Sequence, residues 1–245
     1  RVGRVEEMIK AGMVIEPLKD LYKDEVREIG MLLGLSRELV FRHPFPGPGL
    51  AIRCLCSDGY GGTADKILSR PYFRIYKLPI KSVGVQGDER SYAYPALFCG
   101  LKNWRIFHKV SPQITNAQKD INRVLFLADG DEEKILVSKI GEVTLTKERL
   151  NLLRRVDEIV SREILGAPGC EKIWQMPVVL APFGWQKGES VVLRPVESEE
   201  AMTVSFAKIP QKILKRIIWQ VKALGEIDFI FYDITNKPPG TIEWE

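Results

Sequence analysis

The stretch that decides the fold is "IPQKILKRIIWQVKALGEIDFIFYDITN", residues 209–236, because it contains a helix pattern followed by a strand pattern. Its first part has apolar residues at helical spacing, and its second part, "IDFIFYDIT" (227–235), has the aromatic and β-branched composition of a strand. An earlier stretch, "SPQITNAQKDINRVLFLADG" (111–130), has the same order of a polar helix and then an apolar strand. The apolar helix positions of the later stretch are Ile213, Ile217, Val221 and Leu224. The two stretches therefore predict the same supersecondary unit twice.

A strand–turn–strand pattern precedes each of these stretches. It is "KLPIKSVGVQGDERSYAYPALF" (77–98) in the first half and "QMPVVLAPFGWQKGESVVLRPV" (175–196) in the second. The order strand, turn, strand, helix, strand thus occurs twice, which indicates an internal duplication at low sequence identity. These units predict an α+β fold of two tandem antiparallel-sheet units with helices on one face. An open sheet edge is also a natural place for a second subunit to dock.

Two further segments are predicted to be helical. Residues 1–41 have the pattern of two helices with a short extended link, and Gly34 is the expected stop of the second helix. "LTKERLNLLRRVDEIVSREIL" (145–165) is predicted to be a long amphipathic helix with Thr146 as its N-cap. The opening residues "RVGRVEEMIKAG" (1–12) have the pattern of an amphipathic helix already in progress, so we expect the chain to begin inside a larger protein.

The composition of the 245 residues is that of an ordinary soluble globular protein. Hydrophobic residues make up 45% and charged residues 28%. The net charge of +4 suits a partner with phosphate or carboxylate groups. No apolar stretch reaches transmembrane length and no signal pattern opens the sequence, which favours a cytoplasmic protein without a membrane partner.

The four cysteines and two histidines do not form a recognisable metal site. They contain no C-x-x-C pair, and the histidines are far apart in sequence. Cys54 and Cys56 would point to the same face of a strand, which is a weak indication of a metal pair. Reduced thiols packed in a cytosolic protein are the favoured interpretation, so no metal site is predicted.

Three segments leave a structural and a functional interpretation open. "RHPFPGPGLAIR" (42–53) is either a stiff linker between domains or a preorganised loop whose glycines let backbone N–H groups approach a ligand. "VGVQGDERSY" (83–92) is either a charged hairpin tip or a loop in which Asp88 accepts from a base or ribose and Arg90 binds a phosphate or carboxylate. In "KILKRIIWQVK" (212–222), a solvated basic face is favoured over a nucleic-acid surface, because aromatic residues are not interleaved with the charges.

The closing residues, "KPPGTIEWE" (237–245), are predicted to be ordered. Pro238 and Pro239 restrict the backbone, and Gly240 allows the chain to approach another group closely. The sequence contains no phosphate-binding G-x-x-x-x-G-K-[ST] loop, no G-x-S-x-G and no H-E-x-x-H. No catalytic residue is therefore predicted in this chain.

Four of these segments together resemble one family. "IEPLKDLYKDEVREIG" (15–30), "RHPFPGPGLAIR", "LPIKSVGVQGDERSY" (78–92) and "YDITNKPPGTIEWE" (232–245) occur in the order found in the C-terminal part of glutamine-hydrolysing GMP synthetase. They span nearly the whole chain, and "HPFPGPGL" and "KPPGTIEWE" are highly specific. The resemblance favours the ligand-binding interpretation of both loops.

The resemblance implies a carbon–nitrogen ligase of purine biosynthesis with glutamine as the amido donor. The family converts XMP, ATP, glutamine and water to GMP, AMP, diphosphate and glutamate. An ATP pyrophosphatase domain, using Mg²⁺, adenylates the C2 oxygen of the xanthine base, and ammonia from a glutaminase domain then displaces AMP. The ATP and Mg²⁺ sites would lie outside this chain, which would be inactive alone.

The resemblance also implies a domain organisation and partners. Residues 1–43 would be the C-terminal tail of the pyrophosphatase domain and 44–139 the first α+β unit of a dimerisation domain. Residues 140–245 would be its second α+β unit, with an XMP-binding tail. The implied partners are a second copy of the chain, which forms a homodimer, and the upstream domains. Nucleic acid is not among them.

An XMP site follows from the resemblance residue by residue. Asp88 and Arg90 match the pair that contacts XMP, and Gln175 matches a glutamine of the long form of the family. Lys237 and Glu243 match residues that hold the nucleotide, and Lys237 and Arg90 would bind its phosphate. The complete expected set is Asp88, Arg90, Gln175, Lys237, Thr241, Ile242, Glu243, Gly47 and Pro48.

One departure from the short bacterial form leaves the geometry of this site open. In that form the hairpin turn and the closing tail lie in a single unit, whereas here about 150 residues separate Asp88 from Glu243. Arg194, the second unit's counterpart of Arg90, is therefore a rival for the same role. Two alternative functions remain: a dimerising module with no nucleotide affinity of its own, and a small nucleic-acid-binding protein supported only by mild basicity and the basic helix.

Overall fold

A computed structural model describes residues 3–40, 49–86, 89–198 and 204–245. The chain divides into two compact units, Arg1–Pro44 and Phe45–Glu245.

The described part of the first unit is helical. Its helices are α1 (Gly3–Lys10), α2 (Lys23–Leu32) and α3 (Arg37–Val40). The sequence predicted two helices here, and the short α3 is an addition. Gly34 follows α2 with a φ of +78°, a left-handed conformation that ends helices, as predicted.

The described part of the second unit combines three α-helices with a large sheet and several short strand pairs. Its helices are α4 (Trp104–Ala117), α5 (Lys147–Ile164) and α6 (Gln211–Ala223), with 3₁₀ turns at Ala51–Arg53 and Glu132–Val137. Its described strands are β1 (Ser57–Asp58), β2 (Asp65–Arg70), β3 (Phe73–Lys77), β4 (Ser82–Gln86), β5 (Glu89–Gly100), β6 (Ile121–Asp129), β7 (Lys139–Ile140), β8 (Glu142–Val143), β9 (Val178–Ala181), β10 (Phe183–Gly184), β11 (Ser190–Leu193), β12 (Val196–Glu197), β13 (Ser205–Phe206) and β14 (Phe229–Asp233).

One eight-stranded sheet contains strands from both predicted halves. Its order is β2-β3-β5-β6-β14-β11-β9, and β4 pairs with β5 beside this path. Strands β5 and β6 are parallel and are connected through α4, whereas β11 and β14 are parallel and are connected through α6. At the centre of the sheet β6 and β14 are antiparallel. The two halves therefore meet at this central pair of strands.

This topology has the repeated order that the sequence predicted. In each half, an antiparallel pair (β4 with β5, and β9 with β11) is followed by a helix and then by a strand parallel to the second member of the pair. A strand–helix–strand connection crosses over the sheet, which makes its two strands parallel. The α+β class is confirmed, and the pairing is mixed. The domain boundary between residues 139 and 140 stays a prediction, since both halves contribute to one sheet.

The helix of the first half begins earlier than the sequence predicted. The polar pattern placed it around residues 111–121, whereas α4 spans Trp104–Ala117. Asn103 is its cap, because the side-chain oxygen of Asn103 accepts from two N–H groups of the first turn at 3.0 and 3.3 Å. For α5 the predicted cap is confirmed: Thr146 Oγ1 accepts from the N–H of Arg149 at 3.3 Å.

The sheet has an apolar core on each of its faces. Helices α4, α5 and α6 cover one face, where they pack with Ile230 and Tyr232 of β14. Phe229 and Phe231 point to the opposite face, since successive side chains of a strand alternate. This second core also contains Trp244 from the end of the chain, which is fully buried. The helices of the second unit thus cover one face of the sheet, and C-terminal residues pack against the other face.

The burial of Trp244 predicts a large loss of stability when its side chain is truncated. Trp244→Ala removes a fully buried indole and leaves a cavity, which should lower the free energy of unfolding by about 3–5 kcal/mol. Trp219 on α6 is 74% exposed, so Trp219→Ala should change the free energy of unfolding by less than about 0.5 kcal/mol. Urea unfolding measures both values. Equal effects of the two substitutions would contradict the placement of Trp244 in the core.

Candidate functional site

The C-terminal tail, residues 237–245, lies beside β4, with a turn at Pro238 and Pro239 and an isolated bridge between Gly240 and Gly84. The N–H groups of Val83 and Val85 donate to the carbonyl oxygens of Trp244 and Pro239 at 2.8 and 2.6 Å. Strand β4 also pairs with β5, so it lies between β5 and the tail. The β4–β5 hairpin and the tail are therefore neighbours within one chain, although they are far apart in sequence.

Gly84 and Gly240 lie where the backbone comes very close to other groups. A Cβ atom at Gly84 would lie 2.8 Å from the carbonyl oxygen of Pro239 and 2.8 Å from the Cβ of Asn122. A Cβ atom at Gly240 would lie 3.1 Å from the Cγ2 of Thr235. The sequence predicted that Gly240 permits a close approach, and the group that it approaches is the protein's own core.

A cluster of buried charged side chains contacts the tail. Asp233, the last residue of β14, accepts from Arg123 of β6 through Oδ2 at 3.0 Å and from Arg194 through Oδ1 at 3.1 Å. All three side chains are fully buried. Trp244 Nε1 donates to the Oδ2 of Asp233 at 3.2 Å, and the Arg123 guanidinium lies 4.9 Å from the centre of the Trp244 ring. Because buried charges are tolerated only when they are paired and hydrogen-bonded, the members of this cluster depend on one another.

The two arginines of this cluster also bind the tail. Arg123 Nη2 donates to the carbonyl oxygen of Glu243 at 2.6 Å and to the Oγ1 of Thr241 at 2.8 Å. Arg194 Nη2 donates to the carbonyl oxygen of Thr241 at 3.1 Å. The Thr241 hydroxyl lies 2.8 Å from the carbonyl oxygen of Val83, to which it can donate. Both arginines and β4 thus hold the tail, and Arg123 also donates to the carbonyl oxygen of Val83 in β4 at 2.9 Å.

Glu243 places a carboxylate close to the same arginines. Its Oε2 atom is buried and has no hydrogen-bond partner among the described residues. Burial raises the pKa of Glu243, and the positive charges of Arg53, Arg123 and Arg194 oppose that shift. Burial lowers the pKa of Arg123 to about 10, against the attraction of Asp233, so Arg123 stays charged at neutral pH.

The predicted XMP-binding residues lie in three places within the described chain. Arg90 is exposed on β5, opposite Val85 of β4. Gln175 is half-buried and pairs through its backbone with Val196 of β12. The third place is the tail, where Lys237, Thr241, Ile242 and Glu243 are all half-buried. The remaining predicted residues, Asp88, Gly47 and Pro48, lie outside the described part of the chain.

The tail is linked to both of the other places through neighbouring strands. At residues 239–244 it contacts β4, which is paired with the strand that carries Arg90. At its first residue, the N–H of Lys237 donates to the carbonyl oxygen of Val204 at 2.7 Å. Val204 lies next to β13, which pairs with β12, and β12 pairs with Gln175. The described site residues are therefore connected through the tail, with the β12–β13 hairpin between Lys237 and Gln175.

Arg194, the rival of Arg90, has a different environment. Arg90 is exposed, whereas Arg194 is fully buried. Besides Asp233, Arg194 Nη1 binds the carbonyl oxygen of Thr235 at 2.5 Å. The guanidinium of Arg194 is bound within the core and does not face solvent. Of the two, Arg90 is the one available to a phosphate.

The sequence patterns did not point to Arg123 and Asp233 as residues of this region. Each interrupts an apolar strand, "INRVLFLA" (121–128) in the first half and "IFYDIT" (230–235) in the second. A charged residue inside the pattern of a buried strand needs a partner of opposite charge. This pattern is the signal by which the pair could have been found.

A cleft of about 690 Å³ lies beside the base of the β4–β5 hairpin. Tyr92 and Tyr94 of β5 line it, and Lys81 Nζ lies 5.7 and 5.5 Å from the centres of their rings. The Tyr92 hydroxyl lies 3.3 Å from the Oε1 of Glu245, within hydrogen-bond distance. No predicted XMP-binding residue that the structure describes lines this cleft. This cleft is therefore separate from the predicted XMP-binding residues that the structure describes.

This chain is similar to known proteins along its whole length. Residues 163–244 match the family model described as the GMP synthase C terminal domain. The chain is 44% identical over 253 residues to the probable glutamine-hydrolysing GMP synthase of Leptospira interrogans, with 100% of this chain and 42% of that protein covered. This chain is homologous to the C-terminal part of GMP synthases.

Other GMP synthases match the chain over the same extent. The GMP synthase of Dictyostelium discoideum is 32% identical over 296 residues, with 96% of this chain and 41% of that protein covered. The probable GMP synthase of Caenorhabditis elegans is 31% identical over 324 residues, with 98% and 43% covered. The chain thus spans about two fifths of the length of these relatives. The resemblance drawn from four short segments is confirmed.

The described residues of this chain contain no recognisable cluster of metal-binding side chains. Among residues 3–40, 49–86, 89–198 and 204–245, no group of three or more His, Cys, Asp or Glu side chains is placed to hold one. Cys54 is buried and Cys56 is exposed, both are free thiols, and burial raises the pKa of Cys54. In the same ranges no helix combines the length and the apolar composition needed to cross a membrane.

The Glu243 carboxyl predicts a pH-dependent change in stability. Burial raises its pKa above the ordinary value of 4.5, so the folded protein holds this proton more tightly than the unfolded chain does. The stability contributed by the group is fully present below about pH 4.5 and is lost as the pH rises through the folded-state pKa.

Glu243→Gln removes this titration. We expect the free energy of unfolding of the variant, relative to the unchanged protein, to rise as the pH rises above about 4.5, as measured by urea unfolding at each pH. A difference that stays constant with pH would contradict the environment described for Glu243.

Proposed function

We propose that this chain is the C-terminal dimerisation and XMP-binding part of a GMP synthase, which makes GMP from XMP, ATP, glutamine and water. The alignment of 100% of the chain with the GMP synthase of Leptospira interrogans is the observation that carries the proposal. Since the chain covers 42% of that relative, the complete reaction requires groups beyond those of this chain.

The proposed XMP site is built around the tail. The phosphate of XMP is an anion, which guanidinium and ammonium groups bind through charge-assisted hydrogen bonds. Arg90 supplies a guanidinium on the strand next to β4, and Lys237 supplies an ammonium at the start of the tail. Glu243 supplies a carboxylate that can accept from a ribose hydroxyl or the base. The adjacency of the β4–β5 hairpin and the tail supports one site within one chain.

The ATP-dependent chemistry is proposed to lie outside the described residues. These residues contain no metal-binding cluster, and the sequence has no G-x-x-x-x-G-K-[ST] loop. They do not fit an ATP–Mg²⁺ site, so their role is to bind and orient XMP while the ATP pyrophosphatase and glutaminase domains provide the other substrates. This chain therefore supplies no residue to which a bond-making step is assigned.

Residues 1–43 are proposed to be the end of the ATP pyrophosphatase domain. Support comes from the separate compact unit Arg1–Pro44 and from large apolar side chains that this unit exposes. Ile15 and Leu32 are each 86% exposed. Exposed apolar groups of this size mark surfaces that contact another domain.

The remaining residues are proposed to form a homodimer in the cytoplasm. Residues 44–139 and 140–245 would be the two units of the dimerisation domain. Strand β2 lies at one end of the large sheet and most of its residues are exposed. An exposed edge strand of this kind is a natural place for a second subunit to pair.

Removing the polar groups of the tail should weaken XMP binding. In the full-length protein, Lys237→Ala and Glu243→Ala should each lower the affinity for XMP by about 10-fold or more, because a hydrogen bond to a charged group contributes about 1.5–3 kcal/mol. Lys212→Ala is the matched control, since Lys212 is exposed on α6 and should leave the affinity unchanged. Calorimetric titration with XMP measures the affinity of the unchanged protein and of the three variants.

Two outcomes would contradict the proposal in different ways. Equal affinity of the unchanged protein and both tail variants would show that the tail does not hold XMP. Failure of the unchanged protein to bind XMP, together with intact dimers in analytical ultracentrifugation, would support the alternative of a dimerising module with no nucleotide affinity.

A further inference from the structure

We infer that Arg123, Arg194 and Asp233 are positioning residues that hold the tail in the conformation that binds substrate. The inference rests on the proposed function, because it gives these residues a part in XMP binding. All three side chains are fully buried. They are therefore shielded from a ligand and act through the tail that they hold.

The contacts between the arginines and the tail are concentrated on two residues. Arg194 binds the carbonyl oxygen of Thr241, and Arg123 binds the carbonyl oxygen of Glu243 together with the Thr241 hydroxyl. Because peptide groups are planar, fixing these two carbonyls also restricts the backbone of Ile242 between them. These three tail residues belong to the proposed XMP site. The arginines thus hold the part of the tail on which substrate binding would depend.

Asp233 sets the position of both arginines. Each of its carboxylate oxygens accepts from a different guanidinium. Its Oδ1 atom also accepts from the N–H of Thr235 at 2.9 Å, which restrains the orientation of the carboxylate. Two buried guanidinium groups without an acid between them would repel each other strongly in a medium of low dielectric constant. The carboxylate therefore keeps both arginines directed at the tail.

Hydrogen exchange of the backbone amides of β4 can show whether the tail is in place. Those of Val83 and Val85 donate to tail carbonyls. Since successive N–H groups of a strand point to opposite sides, the N–H of Gly84 faces β5, with which β4 is paired. When the tail leaves its position, the amides of Val83 and Val85 lose their acceptors while that of Gly84 keeps its own. Hydrogen exchange at these neighbouring amides therefore separates tail displacement from general unfolding.

Lysine substitutions in the full-length protein test the inference. Arg123→Lys and Arg194→Lys keep the buried positive charge but lose the planar guanidinium with its several donors. Amide exchange at Val83 and Val85 should become about 10-fold faster in each variant, with exchange at Gly84 unchanged. The KM for XMP should rise by about 10-fold or more, while kcat at saturating XMP changes by less than about 3-fold.

Arg149→Lys provides the matched control. Arg149 is also a buried arginine, but it binds Glu189 and the carbonyl oxygen of Thr144, and not the tail. Its replacement should leave the exchange of the β4 amides and the KM for XMP unchanged. Thermal unfolding of every variant accompanies these measurements. Arg194→Lys is the decisive variant, because Arg123 also donates to the Ser82 hydroxyl and to the carbonyl oxygen of Val83 in β4. The hydrogen bonds of Arg194 are with Asp233 and with the carbonyl oxygens of Thr235 and Thr241.

Three results would overturn the inference. Unchanged exchange at Val83 and Val85 in both lysine variants would show that the arginines do not hold the tail. Equally faster exchange at Gly84 and throughout β14 would show a general loss of stability. Faster exchange at Val83 and Val85 with an unchanged KM for XMP would show that the held segment carries no substrate contact. The proposed function fails separately, when the unchanged protein does not bind XMP.

Discussion

The carboxylate of Asp233, shared between Arg123 and Arg194, is the interaction on which the second unit depends. It joins β14 to β6, the two strands at which the halves of the sheet meet, and it also binds the indole of Trp244. Removing one partner of such a buried group leaves an uncompensated charge, at a cost of about 3–5 kcal/mol. Because the arginines also bind the tail, the same charges connect the centre of the fold with the proposed substrate site.

The repeated topology explains where this cluster forms. In each half, a helix connects two parallel strands: β5 to β6 in the first half and β11 to β14 in the second. The later strands of the two halves, β6 and β14, lie side by side at the centre of the sheet. The helices cover one face of the sheet, so the opposite face needs another cover. Short strand pairs and the tail supply it, and Trp244 fills part of that second core. The tail, part of the proposed substrate site, thus also contributes to this core.

Local patterns in the sequence located several helices and strands but did not identify this cluster. Helical spacing located α5 and α6, and the resemblance of four short segments located the family. The start of α4 was misplaced because its cap, Asn103, lies outside the polar run that suggested the helix. Arg123 and Asp233 are 110 residues apart, and only the folded sheet brings them together. Prolines and a glycine predicted an ordered tail, but a single tryptophan has no periodicity from which its burial could be deduced.

The pairing of the tail with β4 also bears on how the protein avoids unwanted association. A strand that has a partner on one side only presents a row of unpaired N–H and C=O groups, to which a strand of another molecule can add. Without the tail, Val83 and Val85 would present such groups, and β4 would become an open edge. In the folded chain their donors are satisfied internally. The tail therefore protects this edge of the sheet, and its displacement would expose β4, beside the proposed ligand-binding surface, to edge-to-edge aggregation.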